Sequence, residues 1–156
     1  MSGTCHWSRF CYQLGMRAFA TSTVIRAPAE RIWSILTDAA AYPTWNTTVE
    51  RVVGTIAPGE KVTVYTKASP GRAFPLTVTE LEPNQRMVWA GGMPLGLFKG
   101  KRTYVLTPRS ANDVEFSMRE EFSGLMAPLI TRSIPDLQPA FDQFAADLKA
   151  RAERNG

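Results

Sequence analysis

The chain has one histidine and two cysteines, and all three, Cys5, His6 and Cys11, fall within its first eleven residues. From Tyr12 onward imidazole and thiol chemistry is therefore excluded: that stretch holds no Ser-His-Asp triad, no Cys-His nucleophile and no His- or Cys-ligated metal site. The three residues lack Cys-x-x-Cys spacing, so no metal and no cofactor are expected. What remains is the chemistry of carboxylates, guanidinium groups and phenols, and Arg102, Tyr104 and Glu120 are placed to do it. Val114, Phe116, Met118, Glu120 and Phe122 alternate along one strand face. Glu120 is thus a carboxylate in an apolar row and needs a partner. Arg102, Tyr104 and Leu106 share a face of the preceding segment. A hairpin closing with Pro108 opposite Val114 sets Leu106 against Phe116, Tyr104 against Met118 and Arg102 against Glu120. Three roles are open to the Arg102–Glu120 pair. It could be an ion pair closing one end of the core. It could be an anchor in which Arg102 holds a carboxylate, phenolate or enolate. Or it could be catalytic, with Glu120 as general base and Arg102 or Tyr104 steadying an oxyanion; an Arg cannot itself be the base.

The elements that must position these residues can be read from period and punctuation. Thr21–Arg26 is rich in β-branched residues and predicts a strand. Pro28 suits a helix start, and Ile32, Ile35 and Leu36 mark one helical face with Trp33 beside it. Ala39–Trp45 predicts a short second helix broken at Pro43. Six strands follow: Thr48–Val53, Lys61–Lys67, Phe74–Leu81, Arg86–Ala90, Arg102–Thr107 and Val114–Phe122. Turn chemistry separates them, including an apolar Gly91–Gly100 loop that could act as a lid or as a passive turn. Short turns between consecutive strands predict an antiparallel meander. Ile130, Ile134, Leu137, Phe141, Phe144 and Leu148 advance by three or four residues, giving an apolar helical stripe. Pro135 and Pro139 interrupt it, so the long helix is expected to begin near 134–137, capped by Ser133 or Asp136, and to run to about Glu153. A shorter helical piece is expected between Gly124 and Arg132. The fold class is α+β: a curved antiparallel sheet of about seven strands covered by that helix.

Composition bounds the rest. The 156 residues suffice for one domain, and 44% hydrophobic with 21% charged content is that of an ordinary soluble globular chain. No apolar run nears the roughly 20 residues that span a bilayer, so no stable membrane insertion is expected. The net charge is +4, with one basic cluster at Lys99, Lys101 and Arg102; no recognition helix or RNA motif accompanies it, so nucleic acid is not an expected partner. Residues 1–18 read as a flexible extension without a secretory signal, and 19–156 as the domain. Met16 is a candidate alternative start. Two cysteines confined to the extension call for no oxidising compartment, and a cytoplasmic location is expected.

Four segments in this order resemble the SRPBCC superfamily, also called START-like or helix-grip, the fold of the major birch-pollen allergen. They are Ala27-Pro28-Ala29-Glu30-Arg31-Ile32-Trp33, Tyr42-Pro43-Thr44-Trp45-Asn46, Val78 to Pro83 leading into Met87-Val88-Trp89, and Glu120 to Leu125. The nearest look-alike is the bacterial polyketide cyclase/dehydrase and lipid-transport branch. The chain departs from that pattern twice. Thr47 stands where a proline is common after Trp-Asn, and Lys101-Arg102 follows Gly100 where an acidic residue and a His are common. Proton transfer by that His is therefore closed to this chain.

The resemblance implies a cavity between sheet and long helix that holds a small hydrophobic or aromatic ligand, lipid- or polyketide-like. The expected ligand-binding residues are Trp45, Trp89, Phe98, Arg102, Tyr104, Phe116, Met118, Glu120, Leu137 and Phe141. The binding reading requires the cavity. An alternative is a cyclase/dehydratase-like enzyme using Glu120 with Arg102 and Tyr104. A second is a non-catalytic accessory domain that acts through a protein partner and shows an exposed apolar patch instead.

Overall fold

A computed structural model describes residues 17–154. The expected extension, with Cys5, His6 and Cys11, lies outside them but for its last two residues. The described chain opens with strand β1 (Ala18–Ile25), helix α1 (Ala29–Thr37), a 3-10 turn (Ala39–Ala41) and helix α2 (Tyr42–Trp45). Strands β2 (Val49–Gly54), β3 (Lys61–Thr66), β4 (Ala73–Glu82), β5 (Arg86–Met93), β6 (Phe98–Ser110) and β7 (Asp113–Ser123) follow. Helix α3 (Ala127–Ile130), a 3-10 turn (Thr131–Ser133) and helix α4 (Gln138–Glu153) complete it.

All seven strands form one antiparallel sheet in the order β1-β7-β6-β5-β4-β3-β2. The meander is sequential, and β1 comes back to close the β7 edge. Register shifts between Val49 and Arg51, Val78 and Glu80, and Pro108 and Ser110 are the irregularities that bend such a sheet. The sheet curls around α4, as the helix-grip expectation requires.

The long helix is held along β1. At its start the Gln138 side-chain amide donates to the Ala20 carbonyl at 2.8 Å; further along, Lys149 Nζ donates to the Val24 carbonyl at 2.7 Å. At its end Arg31 Nε donates to the Ala152 carbonyl at 2.7 Å, tying α1 to the same terminus. The apolar stripe does the rest: Phe141, Phe144 and Leu148 are buried, and Ile134 and Leu137 pack partly buried against them. Phe144 is the hub. Its ring meets Tyr42, Trp45, Tyr104 and Phe116 at centroid distances of 5.5–6.4 Å.

Four local expectations need correction. Gly91–Gly100 is not a loop. β5 runs to Met93 and β6 begins at Phe98, with only a tight turn between. The glycines mark close approach: a Cβ on Gly92 would stand 2.1 Å from the Phe98 carbonyl oxygen, and one on Gly91 2.7 Å from that of Pro75. Pro43 opens α2 rather than breaking a helix, because its missing N–H falls in the first turn. Neither Ser133 nor Asp136 caps α4; its N-cap is Leu137, without a side-chain bond. The Ser133 hydroxyl turns back to the Ile130 carbonyl, while an Asp136 carboxylate oxygen accepts from the Gln138 N–H at 3.0 Å. Finally, α4 begins at Gln138 rather than within 134–137, with Pro139 in its first turn where the missing N–H costs nothing.

Truncating the hub leaves a void among four rings. Phe144→Ala is expected to lower stability by about 3–5 kcal/mol, read as a fall in the urea midpoint with little change in the slope of the transition.

Candidate functional site

The hairpin register is the one that brings Arg102 and Glu120 together. Pro108 pairs with Val114, Leu106 with Phe116, Tyr104 with Met118 and Arg102 with Glu120. Arg102 also sits directly across from Trp89 on β5, and Glu120 across from Phe19 on β1. One row of the concave face therefore reads Trp89, Arg102, Glu120, Phe19. The neighbouring row holds Met87, Tyr104 and Met118. Arg102 Nη2 and Nε donate to the same Glu120 oxygen, Oε2, at 2.5 and 3.2 Å. The other oxygen, Oε1, takes neither bond and lies toward Gly100, 3.9 Å from where a Cβ on that residue would stand. The pair keeps some contact with solvent, the side chains being 20% and 15% exposed. The Phe141 ring of α4 covers the guanidinium, 4.9 Å from Cζ to the centroid.

The charge is held firmly. Burial works against the Arg102 cation, but Glu120 and its hydrogen bond outweigh burial and raise the pKa above its ordinary value. Tyr104 is also raised, because burial disfavours the phenolate more than Arg102 favours it. Two donors beside the pair have no acceptor among the described residues: Trp89 Nε1 is buried without a partner, and Tyr104 Oη, which lies beside the Arg102 guanidinium, finds no acceptor for its own proton. Their rings meet edge to face at 5.2 Å. Three donor groups thus converge beneath α4, beside one carboxylate, Glu120.

The cavity expected between the sheet and the long helix, which the binding reading requires, is not open in this structure: its expected lining is packed shut. Trp89, Tyr104, Phe116 and Met118 are fully buried, in the same cluster as Phe141 and Phe144. Trp45 is buried against Tyr42 and Phe144, and Phe98 stacks on Phe122 at 5.7 Å. Leu137 packs at the edge of the cluster. Two clefts open elsewhere. One of about 510 Å³ lies between the start of α1 and the β4–β5 turn, lined by residues including Glu30, Asn84, Arg86 and Leu106. The other, about 270 Å³, runs between α2 and the end of α4, with Trp45, Asn46, Lys67 and Arg151 among its walls. Neither reaches Arg102. Large rings on both the sheet and α4 fill the space that smaller residues would leave open.

Sequence reasoning missed the contact of Trp89 with Arg102, and it missed Tyr42 in the cluster. The first was accessible: counting outward from a Met93–Phe98 pair reaches Trp89 opposite Arg102. Reading Gly91–Gly100 as a loop hid it. Tyr42 carried no signal, because its burial depends on where α2 docks.

Residues 16–153 match the family described as polyketide cyclase / dehydrase and lipid transport, and the chain belongs to that family. No curated sequence matches it. Among solved structures it is similar to a hypothetical protein from Helicobacter pylori (TM-score 0.71, 14% identity, 88% of each chain covered). It is similar to the Zhui aromatase/cyclase from a Streptomyces species (TM-score 0.68, 14% identity, 89% of this chain and 94% of that one). It is also similar to a START superfamily protein from Mycobacterium smegmatis (TM-score 0.62, 18% identity, 88% and 97%). At these identities the likeness is one of fold. Among the described residues no group of three or more His, Cys, Asp or Glu could hold a metal, and no described helix is long and apolar enough to cross a membrane.

The two buried phenols give the site a pH signature. Tyr42 and Tyr104 are both raised chiefly by burial. Their folded forms keep protons that the unfolded chain loses above about pH 10, so stability falls as pH rises past that value. Alkaline unfolding followed at the tyrosinate absorbance band is expected to show both phenols ionising only with the unfolding step. Tyr104→Phe should flatten the stability profile above about pH 10.

Proposed function

We propose that the chain binds a small, largely apolar ligand, lipid- or polyketide-like, bearing an oxygen acceptor that Arg102, Tyr104 and Trp89 receive beneath α4. The observation that carries this reading is the pair of buried donors without an acceptor, Tyr104 Oη and Trp89 Nε1, beside a half-buried guanidinium. A buried donor without a partner costs about 1–3 kcal/mol, and a carbonyl, enolate or phenolate oxygen would relieve it. The family's name, with its cyclase, dehydrase and lipid-transport members, supports the ligand class. Because the expected lining is packed shut and Phe141 covers the guanidinium, entry on this reading involves movement of Phe141 off Arg102. The remaining expected residues, Phe98, Phe116, Met118, Leu137 and Phe141, supply apolar contact, worth roughly 25 cal/mol per Å² buried.

A second reading is catalytic. Glu120 Oε1 takes no bond from Arg102, so that oxygen could accept a proton from a carbon beside a carbonyl while Arg102 or Tyr104 holds the enolate oxygen.

Native mass spectrometry of the protein purified from its own host is expected to show a bound apolar molecule. Arg102→Leu should weaken binding of an added hydroxyanthraquinone or palmitate by about tenfold or more, the worth of a hydrogen bond to a charged group. Glu120→Gln should change binding only modestly. If Glu120→Gln abolishes a turnover that the wild type shows, the catalytic reading holds. Absence of any adduct together with no binding of either probe overturns the binding reading.

A further inference from the structure

The sheet end nearest Arg102 carries an apolar lip that the core does not use. The turn between β5 and β6 lies against the segment after β7. The Met126 N–H donates to the Leu97 carbonyl at 2.8 Å. Gly124 makes the approach possible: at φ 109, a Cβ there would stand 2.6 Å from the same oxygen. These two adjacent segments expose Leu95 (96%), Leu125 (86%), Leu129 (64%) and Met93 (44%). Single exposed apolar residues are ordinary, but four on two abutting segments are not.

Leu95 breaks two local rules at once. It is a large apolar side chain in almost full contact with water, and its backbone is left-handed, at φ 61 and ψ 23. Glycine or asparagine would fill that turn position without strain. Departures from local preference of this kind mark functional positions.

The charges within the two segments of the lip have one sign. Residues 93–101 and 123–134 contain Lys99, Lys101 and Arg132 and no Asp or Glu. None of these three cations has an ion-pair partner among the described residues. The carboxylate across from Lys101, Glu121, is bonded to Arg119 at 2.6 Å.

The geometry points to this lip as a docking surface for an anionic lipid bilayer. The leucines enter the boundary between headgroups and acyl chains, and Lys99, Lys101 and Arg132 meet the lipid phosphates. A protein partner fits less well. A stable interface needs about 800 Å² on each side with a packed core, whereas this lip offers four separate apolar side chains, on the end of β5, the turn after it, the segment after β7 and α3. Arg102 lies four residues along β6 from Phe98, about 13 Å at strand spacing, so docking sets the candidate site close to the bilayer. This inference stands apart from the ligand reading and requires no ligand.

The test is co-sedimentation of the full chain with vesicles of phosphatidylcholine alone and of phosphatidylcholine with phosphatidylglycerol. Binding to the anionic vesicles and not to the neutral ones is expected, weakening as salt is raised. Leu95→Asp and Leu125→Asp should each reduce it by about tenfold or more, from the apolar area lost. Lys99→Glu combined with Lys101→Glu should remove the preference for anionic lipid. Leu95→Asn separates docking from folding: it suits the left-handed turn, so the thermal midpoint should hold or rise while vesicle binding falls. The proposal is overturned if the wild type binds neither vesicle, or if Leu95→Asn binds as well as the wild type. It is also overturned if the chain self-associates through Leu95 and does not sediment with lipid, which would assign the lip to a second copy.

Discussion

One curled sheet has one concave face, and that face has to be covered by a single long helix. The rest of the structure follows from how α4 meets this requirement. Its stripe of Phe141, Phe144 and Leu148 faces the sheet, and Phe144 gathers Tyr42, Trp45, Tyr104 and Phe116 around one ring. The short helices become part of the same cluster, because α2 delivers Tyr42 and Trp45 to it. Polar ties at both ends of α4, from Gln138, Lys149 and Arg31, keep the stripe in place along β1 and α1.

Against that apolar packing, the row of Trp89, Arg102, Glu120 and Phe19 is costly. An ion pair taken partly out of water repays its desolvation only with good geometry, and here both guanidinium bonds go to one carboxylate oxygen. Two further donors are left without an acceptor nearby. A core built only for stability would fill these positions with aliphatic side chains. Polar cost is thus concentrated on the face that α4 covers.

The same end of the sheet departs from local rules in a second way, through Leu95 and its exposed neighbours. Elsewhere pattern and structure agree: β7 alternates buried and open residues along its length until Glu120, and each glycine at a close strand approach has a steric reason. Cost in the interior and apolar exposure at the rim thus sit at one end of the molecule, a few residues apart along β6.

Much of this was legible in the sequence. Period two in Val114–Phe122 and the Pro108 to Asp113 turn were enough to set Arg102 against Glu120, because hairpin register propagates outward from a turn. The three-and-four spacing from Phe141 to Leu148 marked the covering helix, and the strand separators gave the meander. The lack of His after residue 6 ruled out imidazole chemistry in the domain without any coordinates. Other features were decided only by the tertiary structure. Gly91 and Gly92 read as loop residues until neighbouring strands came close enough to demand them. Whether Trp89, Tyr104 and Phe116 line a space or fill it depends on how deeply the rings of α4 descend, a distance that periodicity does not encode. The lip is a tertiary product too, since Leu95 and Leu125 lie thirty residues apart and meet only because β6 and β7 return to the same end. Local pattern determines which face a side chain takes; long-range packing determines what that face meets.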